Sequence, residues 1–259
     1  MRLSLLSPID RWRAPAPDPE RADWIGQSLF AHRGLHGPGV PENSPAAFDL
    51  ALRAGIGIEC DIQRSGDGQA VVFHDWELDR LTAETGEVSG RTLDQLEQIC
   101  LSGSDSQDRI PSLVAMLDQV AGRGPLLIEI KSRKERKVSP ICLAVKHALD
   151  GYRGRHAVMS FDPRVSRWFA QHSPLTVRGL VVTEEHGGGL TGRWKRHKAL
   201  WLARPDFLAY DVRDLPSSFA ASQRKRGFPV ATWTVRSPAQ METATRYADA
   251  PIAEGEGLT

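Results

Sequence analysis

The stretch GIGIECDIQ, residues 55–63, decides the fold because it places two acidic residues inside a run that otherwise has the pattern of a buried strand. Side chains alternate between the two faces of a strand, so Glu59 and Asp61 share one face while Cys60 and the flanking isoleucines occupy the other. In a parallel barrel such acids lie near the carboxyl ends of the strands, where these enzymes keep their active sites.

The stretch PLLIEIK, residues 125–131, repeats the pattern and puts Glu129 and Lys131 on one face. A single acid of this kind is more often an ion-paired rim residue. Three acids on strand interiors beside a lysine favour a different interpretation, because converging carboxylates repel one another unless a cation lies between them. An all-oxygen ligand set suits Mg²⁺ or Ca²⁺ better than zinc. The sequence therefore predicts a site for a hard divalent cation.

Outward from these two strands, short apolar runs alternate with helical ones through residues 28–259. About eight core strands and an extra hairpin strand at residues 70–74 predict an α/β fold, a TIM (β/α)8 barrel. The polar, weakly periodic segment 75–110 predicts a small insertion or lid after the second strand. The final run YADAPIAEGE leaves little chain for an eighth helix, so we expect that helix to be atypical or missing. Residues 1–27, rich in proline and arginine, are expected to form an arm that packs on the barrel.

Composition limits the classes of partner. The 259 residues are 41% hydrophobic, and 33 basic residues nearly balance 32 acidic ones. No overall field would draw the chain to nucleic acid or to an anionic membrane. The three cysteines are widely spaced and form neither a CxxC pair nor a disulfide framework, and no apolar run is long enough to span a membrane. We expect a cytoplasmic protein; the oligomeric state is not predicted.

A second polar cluster follows the first predicted strand, in the stretch FAHRGLHGPGVPENSPAAF at residues 30–48. His32 and Arg33 end the apolar run, and Glu42 and Asn43 precede a helix. An arginine fork suits phosphate oxygens, and a helix start suits an anion. His74 also ends an apolar run, and two imidazoles beside a phosphate form a suitable acid and base pair near neutral pH. Lone histidines are more often structural, but both of these lie where a strand meets its loop.

The ordered motifs resemble those of the glycerophosphodiester phosphodiesterase family. The motifs run from about Leu29 nearly to the C-terminus. Any one of them alone is weak evidence for the family, whereas the whole set in this order is highly specific. They are HRG, PEN followed by Ser44, ECD, GDGQAVVFHD, LDRLT, IPSL, IEIK, SFDP and TWTV.

The resemblance implies a TIM barrel that hydrolyses glycerophosphodiesters to glycerol 3-phosphate and an alcohol. It implies His32 and His74 as acid and base, and a divalent metal, Mg²⁺ or Ca²⁺, on three acids. Those metal ligands are Glu59, Asp61 and Glu129. The implied substrate and phosphate site comprises Arg33, Lys131, Glu42, Asn43 and Trp233, with Glu42 also supporting the metal or the His32 region.

Three alternatives stay open at this point. The same barrel and metal could serve a lysophospholipase D-type phosphodiesterase or a phosphatidylinositol-specific phospholipase C, and both of these should favour an apolar rim. A binding barrel that has lost turnover is the third alternative, and it would be attractive only if a proposed ligand or histidine were missing. The expected partner is a small-molecule glycerophosphodiester.

Overall fold

A computed structural model describes residues 7–185 and 189–258 of the chain. The fold divides into two units, one formed by residues 30–156 and the other by residues 157–259 together with residues 1–29. The helices are α1 (Ser7–Arg13), α2 (Pro19–Ala22), α3 (Pro45–Arg53), α4 (Leu93–Leu96), α5 (Leu113–Val120), α6 (Ser139–Leu149), α7 (Pro163–His172), α8 (Gly189–Ala203), α9 (Ser218–Arg224) and α10 (Pro238–Tyr247). The strands are β1 (Phe30–Ala31), β2 (Gly57–Arg64), β3 (Ala70–Val72), β4 (Leu126–Ile130), β5 (His156–Ser160), β6 (Val177–Val182), β7 (Phe207–Asp211), β8 (Val230–Val235) and β9 (Ala250–Ala253).

The 30–156 unit is built around β2. Its first residues pair in parallel with β1, in the register Phe30 to Gly57, and its last residues pair antiparallel with the hairpin strand β3. The other edge of β2 pairs in parallel with β4 over its length. Seven of the eight β2 residues are buried, which explains why the sequence there is apolar except on the face that carries the acids.

The 75–110 segment, predicted as an insertion after the second strand, follows the hairpin strand β3 that pairs with β2. It contains a short 3₁₀ helix, Val88–Gly90, and helix α4, which begins in a capping box formed by Thr92 and Gln95. Together with β3 it contains an apolar cluster of its own. The buried members of this cluster are Val71, Phe73, Leu78, Val88, Leu96, Ile99, Leu101 and Ile110.

In the 157–259 unit the five strands β5 to β9 are each paired in parallel with the next along the chain. Helices α7 to α10 alternate with them, as the period of the sequence predicts. Ser217 and Ser237 accept hydrogen bonds from the first-turn amides of α9 and α10, which fixes where those helices begin. After β9 the described residues form a 3₁₀ helix, Gly255–Leu258.

Helix α1 is tied to this same unit by a buried carboxylate. Asp10 is fully buried, and its Oδ1 lies 2.8 Å from both His197 Nδ1 and Trp201 Nε1 of α8. Its Oδ2 accepts a 3.0 Å hydrogen bond from Gln223 Nε2 of α9. Arg226 Nη2 donates to the main-chain oxygen of Asp10 at 3.0 Å. Two helices of the unit, α8 and α9, are therefore held to one acidic side chain of α1.

No described helix has both the length and the apolar character needed to cross a membrane.

Candidate active site

Three carboxylates converge where β2 and β4 run side by side. The parallel register places Asp61 directly opposite Glu129, and Glu59 lies two residues earlier on the same face of β2. A carboxylate oxygen from each of the three lies within 4.8 Å of the others, and all three residues are buried. Cys60, between the two β2 acids, is also buried. The strand alternation read from the sequence accounts for this convergence.

Lys131 follows β4 and reaches back to two of these acids. Its Nζ lies 2.8 Å from Asp61 Oδ1 and 2.6 Å from Glu129 Oε1. Burial alone would lower the lysine pKa, but the charges of Glu129 and Asp61 raise it above its ordinary value. Lys131 therefore carries its positive charge inside the site over the whole physiological pH range.

The loop after β1 supplies a second cation and an amide. Arg33 and Asn43 both have a φ of 56°, in the left-handed region, which asparagine tolerates more easily than arginine. The Arg33 amide donates to Glu59 Oε2 at 3.0 Å, and its Nε lies 3.2 Å from Asp61 Oδ2. Asn43 donates to Asp61 Oδ2 at 3.0 Å and accepts from the Asp61 amide. These contacts stabilise the bend after β1. The bend also requires glycine at position 34, because φ there is 78° and a Cβ would lie 2.8 Å from the Cβ of Ala47.

A chain of alternating charges connects this loop to His74. Glu42 accepts from Arg33 Nη1 at 2.7 Å and from two nitrogens of Arg80 at 2.9 and 2.7 Å. Arg80 also binds Asp75, whose Oδ1 lies 2.6 Å from His74 Nδ1. The Arg80 side chain is 48% exposed, so its ion pairs add little to the stability of the fold, and their main effect is to position the side chains that they join. They fix the carboxylate of Asp75 beside one ring nitrogen of His74.

The carboxylates differ in how well the protein stabilises their charge. Burial raises the pKa of Glu59 well above its ordinary value, and the charges of Asp61 and Glu129 raise it further. Burial also raises the pKa of Glu129, although Lys131 opposes this. Asp61 is buried too, yet Lys131 and His74 help to hold its pKa below the usual range. Negative charge on the two glutamates is therefore incompletely balanced by the side chains around them, as a cation-binding site requires.

The two histidines lie just beyond strand ends, His32 after β1 and His74 two residues after β3. Burial lowers the pKa of His74; Asp61 and Asp75 oppose this, while Lys131 lowers it further. The ring of His74 is consequently poised to be neutral near pH 7 and can accept a proton. His32 is close enough to Glu129 for its charge to lower the pKa of that acid.

Trp233 is the one proposed site residue in the other unit. It lies in β8, donates from Nε1 to the main-chain oxygen of Ala209 at 3.0 Å, and makes an edge contact with Phe161 at 5.3 Å between ring centroids. All the other residues proposed from the sequence are gathered in the 30–156 unit.

Sequence reasoning missed Asp75, Arg80 and Gln63. Gln63 donates from Nε2 to the main-chain oxygens of His74, at 3.1 Å, and Asp75, and so holds the turn after β3. Arg80 is part of the LDRLT motif, residues 78–82, and nothing in that motif alone predicts a role for the arginine. Asp75 directly follows His74, and a carboxylate beside a candidate catalytic histidine is a signal that could have been used.

Comparison with known proteins identifies the family. The profile of the glycerophosphoryl diester phosphodiesterase family matches residues 32–252. A glycerophosphodiester phosphodiesterase of Caldanaerobacter subterraneus is 38% identical over 227 residues, covering 83% of this chain and 88% of the relative.

Solved structures agree on the fold. An Oleispira antarctica phosphodiesterase in complex with the product sn-glycerol-3-phosphate superimposes with a TM-score of 0.76 at 22% identity, covering 87% of this chain and 92% of that one. The glycerophosphodiester phosphodiesterase of Thermotoga maritima gives 0.68 at 25% identity, with 87% and 93% covered. The predicted TIM-barrel fold is confirmed. The chain thus belongs to the glycerophosphoryl diester phosphodiesterase family and is a phosphoric diester hydrolase.

Proposed function

We propose that the protein hydrolyses glycerophosphodiesters to glycerol 3-phosphate and an alcohol with a divalent metal and two histidines. The observation that carries this proposal is the buried set of Glu59, Asp61 and Glu129, with carboxylate oxygens within 4.8 Å of one another. Such a set fits Mg²⁺ or Ca²⁺, which prefer oxygen ligands. When bound there, the metal would supply positive charge that polarises the phosphate and stabilises its developing charge.

Arg33 and Lys131 would bind the non-bridging oxygens of the phosphate. Both already lie beside the carboxylates, at 3.2 and 2.8 Å from Asp61 oxygens, so their charges are held in place before substrate arrives. Such preorganised cations lower the barrier because little reorganisation is needed as charge grows in the transition state. Glu42 would orient Arg33, and Asn43 would orient Asp61, through the hydrogen bonds described above.

The two histidines would move the protons. One takes the proton from the glycerol hydroxyl next to the phosphate, and the resulting oxygen attacks phosphorus to form a cyclic phosphate. The other gives a proton to the departing alcohol oxygen. Water then opens the ring with the two roles reversed, which regenerates both imidazoles. His74, with Asp75 at 2.6 Å from Nδ1 and a lowered pKa, suits the role of base.

The decisive experiment measures release of choline or ethanolamine from glycerophosphocholine, glycerophosphoethanolamine and lysophosphatidylcholine, because a lysolipid cleaved at the same bond yields lysophosphatidic acid and not glycerol 3-phosphate. We expect turnover of the two water-soluble diesters, loss of activity in EDTA and recovery with Mg²⁺ or Ca²⁺. Replacing His32 or His74 with alanine should lower the rate by roughly 10²–10⁴-fold, whereas His147→Ala, an exposed control on α6, should not.

Each outcome addresses a separate part of the proposal. Full activity in metal-free buffer would show that the mechanism needs no metal. A normal rate in either histidine variant would show that the replaced histidine does not transfer a proton. A marked preference for the lysolipid would instead indicate a lysophospholipase D-type enzyme.

A further inference from the structure

A cavity of about 250 Å³ lies beside the carboxylate cluster, within the 30–156 unit. Lys131 is common to both places: the residue lines the cavity, and its Nζ contacts Asp61 and Glu129. The remaining walls come from the end of β2, from the 75–110 segment through Trp76 and Ser89, and from the loop that leads into α6. A group bonded to a phosphate at the proposed site would therefore have this cavity next to it. We call it the basic cavity.

The lining is strongly cationic. Its described residues include five with positive side chains and none with a carboxylate. The five are Arg64, Lys131, Arg133, Arg136 and Lys137. Nucleic-acid binding does not explain them, because the chain as a whole is nearly neutral.

Neighbouring acids balance only part of this charge. Lys131 is neutralised by the carboxylates that it contacts. Glu87, outside the lining, lies 3.2 Å from Arg133 Nη1 and 3.6 Å from Arg136 Nη2, so one glutamate serves two arginines. Within the described part of the chain no acidic oxygen lies within the 4.0 Å ion-pair distance of Lys137 Nζ. A net positive charge therefore remains in the basic cavity.

The aromatic residue of the lining, Trp76, also argues against a cationic alcohol. A quaternary ammonium group is usually recognised by the faces of aromatic rings. Trp76 lines the cavity, but the guanidinium carbon of Arg133 already lies 4.5 Å from the centre of its ring. The protein's own cation thus occupies a face that choline would need, and nearby Arg136 and Lys137 would repel choline.

We propose that the basic cavity binds the departing alcohol and selects glycerophosphodiesters whose alcohol carries a second phosphate. This rests on the proposed function, since it concerns the group released from the same phosphorus. Drug-sized ligands occupy pockets of roughly 300–1,000 Å³, so a cavity of about 250 Å³ suits a smaller group such as glycerophosphoglycerol, the alcohol that bis(glycerophospho)glycerol releases together with glycerol 3-phosphate.

Three substrates that differ in the charge of the alcohol test the proposal. They are glycerophosphocholine, with a cationic alcohol, glycerophosphoglycerol, with a neutral one, and bis(glycerophospho)glycerol, which adds a second phosphate. An exposed ion pair is worth roughly two- to fivefold in affinity. We therefore expect kcat/KM about tenfold higher for bis(glycerophospho)glycerol than for glycerophosphoglycerol, with glycerophosphocholine lowest and the preference shrinking as salt is added.

The double variant Arg136→Gln and Lys137→Gln should lower kcat/KM for bis(glycerophospho)glycerol about tenfold, through KM, and affect the neutral substrate much less. Lys134→Gln is the matched control, because Lys134 is exposed in the same loop and does not line the cavity. Equal kcat/KM for the three substrates, or an equal loss on all three in the double variant, would overturn the proposal.

The proposed function can fail separately. If no diester is hydrolysed, calorimetric binding of the same three compounds to the wild-type protein still decides the matter. Tighter binding of bis(glycerophospho)glycerol that the double variant abolishes would support the basic cavity, and equal affinities would refute it.

Discussion

Replacing Asp10 with alanine should destabilise the fold far more than its position near the N-terminus suggests. The substitution removes the acceptor for Trp201 Nε1 and Gln223 Nε2, at 2.8 and 3.0 Å, and the partner of His197 Nδ1. Gln223 and His197 are essentially buried, at 0% and 2% exposed, so bulk water does not reach them in the folded protein. Each buried group left unsatisfied costs about 1–3 kcal/mol. The expected loss is about 3–5 kcal/mol, or roughly 6–20 °C in melting temperature.

The assay is urea and thermal unfolding followed by circular dichroism, with Asp18→Ala as the matched control on the same arm. Asp18 is exposed and caps α2 through a 3.1 Å bond from the Glu20 amide, so its loss should cost about 1 kcal/mol. If Asp10→Ala costs no more than this control, the buried network does not hold α1 in place. Turnover per folded molecule, measured well below the melting temperature, should be nearly unchanged.

The buried carboxylate of Asp10 should also make the stability of the fold depend on pH. Burial would raise the pKa of Asp10, but hydrogen bonds from His197 and Gln223 help to hold it below its ordinary value. A carboxyl whose pKa is lower in the folded state contributes stability that is present above its unfolded pKa, about 3.9 for aspartate. That contribution is lost as the pH falls through the lower, folded pKa. Asp10→Asn should therefore unfold with a shallower dependence on pH below about 5 than the wild type.

The remaining predictions concern the site and the arm. Cys60→Ala should keep metal dependence and lose roughly 1 kcal/mol of unfolding free energy, whereas Asp61→Asn should lose metal affinity and turnover together. Activity is measured against metal concentration for both variants. Loss of metal binding in Cys60→Ala but not in Asp61→Asn would show that the two residues were assigned to the wrong faces of the strand. Arg80→Met should lower kcat roughly tenfold by loosening His74, with little change in melting temperature, and an unchanged kcat would show that the arginine does not position it. Truncation of residues 1–22 should lower the melting temperature more than kcat, and an unchanged melting temperature would show that the arm is a loose tail.

Strand periodicity was sufficient to predict the carboxylate cluster. Alternation along β2 puts Glu59 and Asp61 on one face, and the parallel register with β4 adds Glu129. The period of two is a property of the backbone, so it can be read without knowing any distant contact. The alternation of strand and helix predicted the barrel for the same reason.

Contacts made by long side chains across distant segments could not be read in this way. Arg80 reaches Glu42 from 38 positions away, and Asp10 meets His197 across 187. Nothing in the local pattern around an arginine or an aspartate tells which partner it will meet, because side-chain rotamers and loop paths decide it. The N-terminal arm, which has no periodicity, gave no sign of its buried acid.

The apolar cluster of the 75–110 segment has a consequence for recombination between relatives. A segment that carries its own buried side chains should be exchangeable as one piece with few new cavities in the recipient, provided that the junctions lie before Val71 and after Ile110 and so include the whole cluster. The double ion pair between Glu42 and Arg80 crosses one of those junctions. Chimeras in which the recipient lacks an acid at position 42 should therefore fold but turn over slowly. An active chimera needs the exchanged segment and residue 42 to come from the same parent, or from parents that both carry this ion pair.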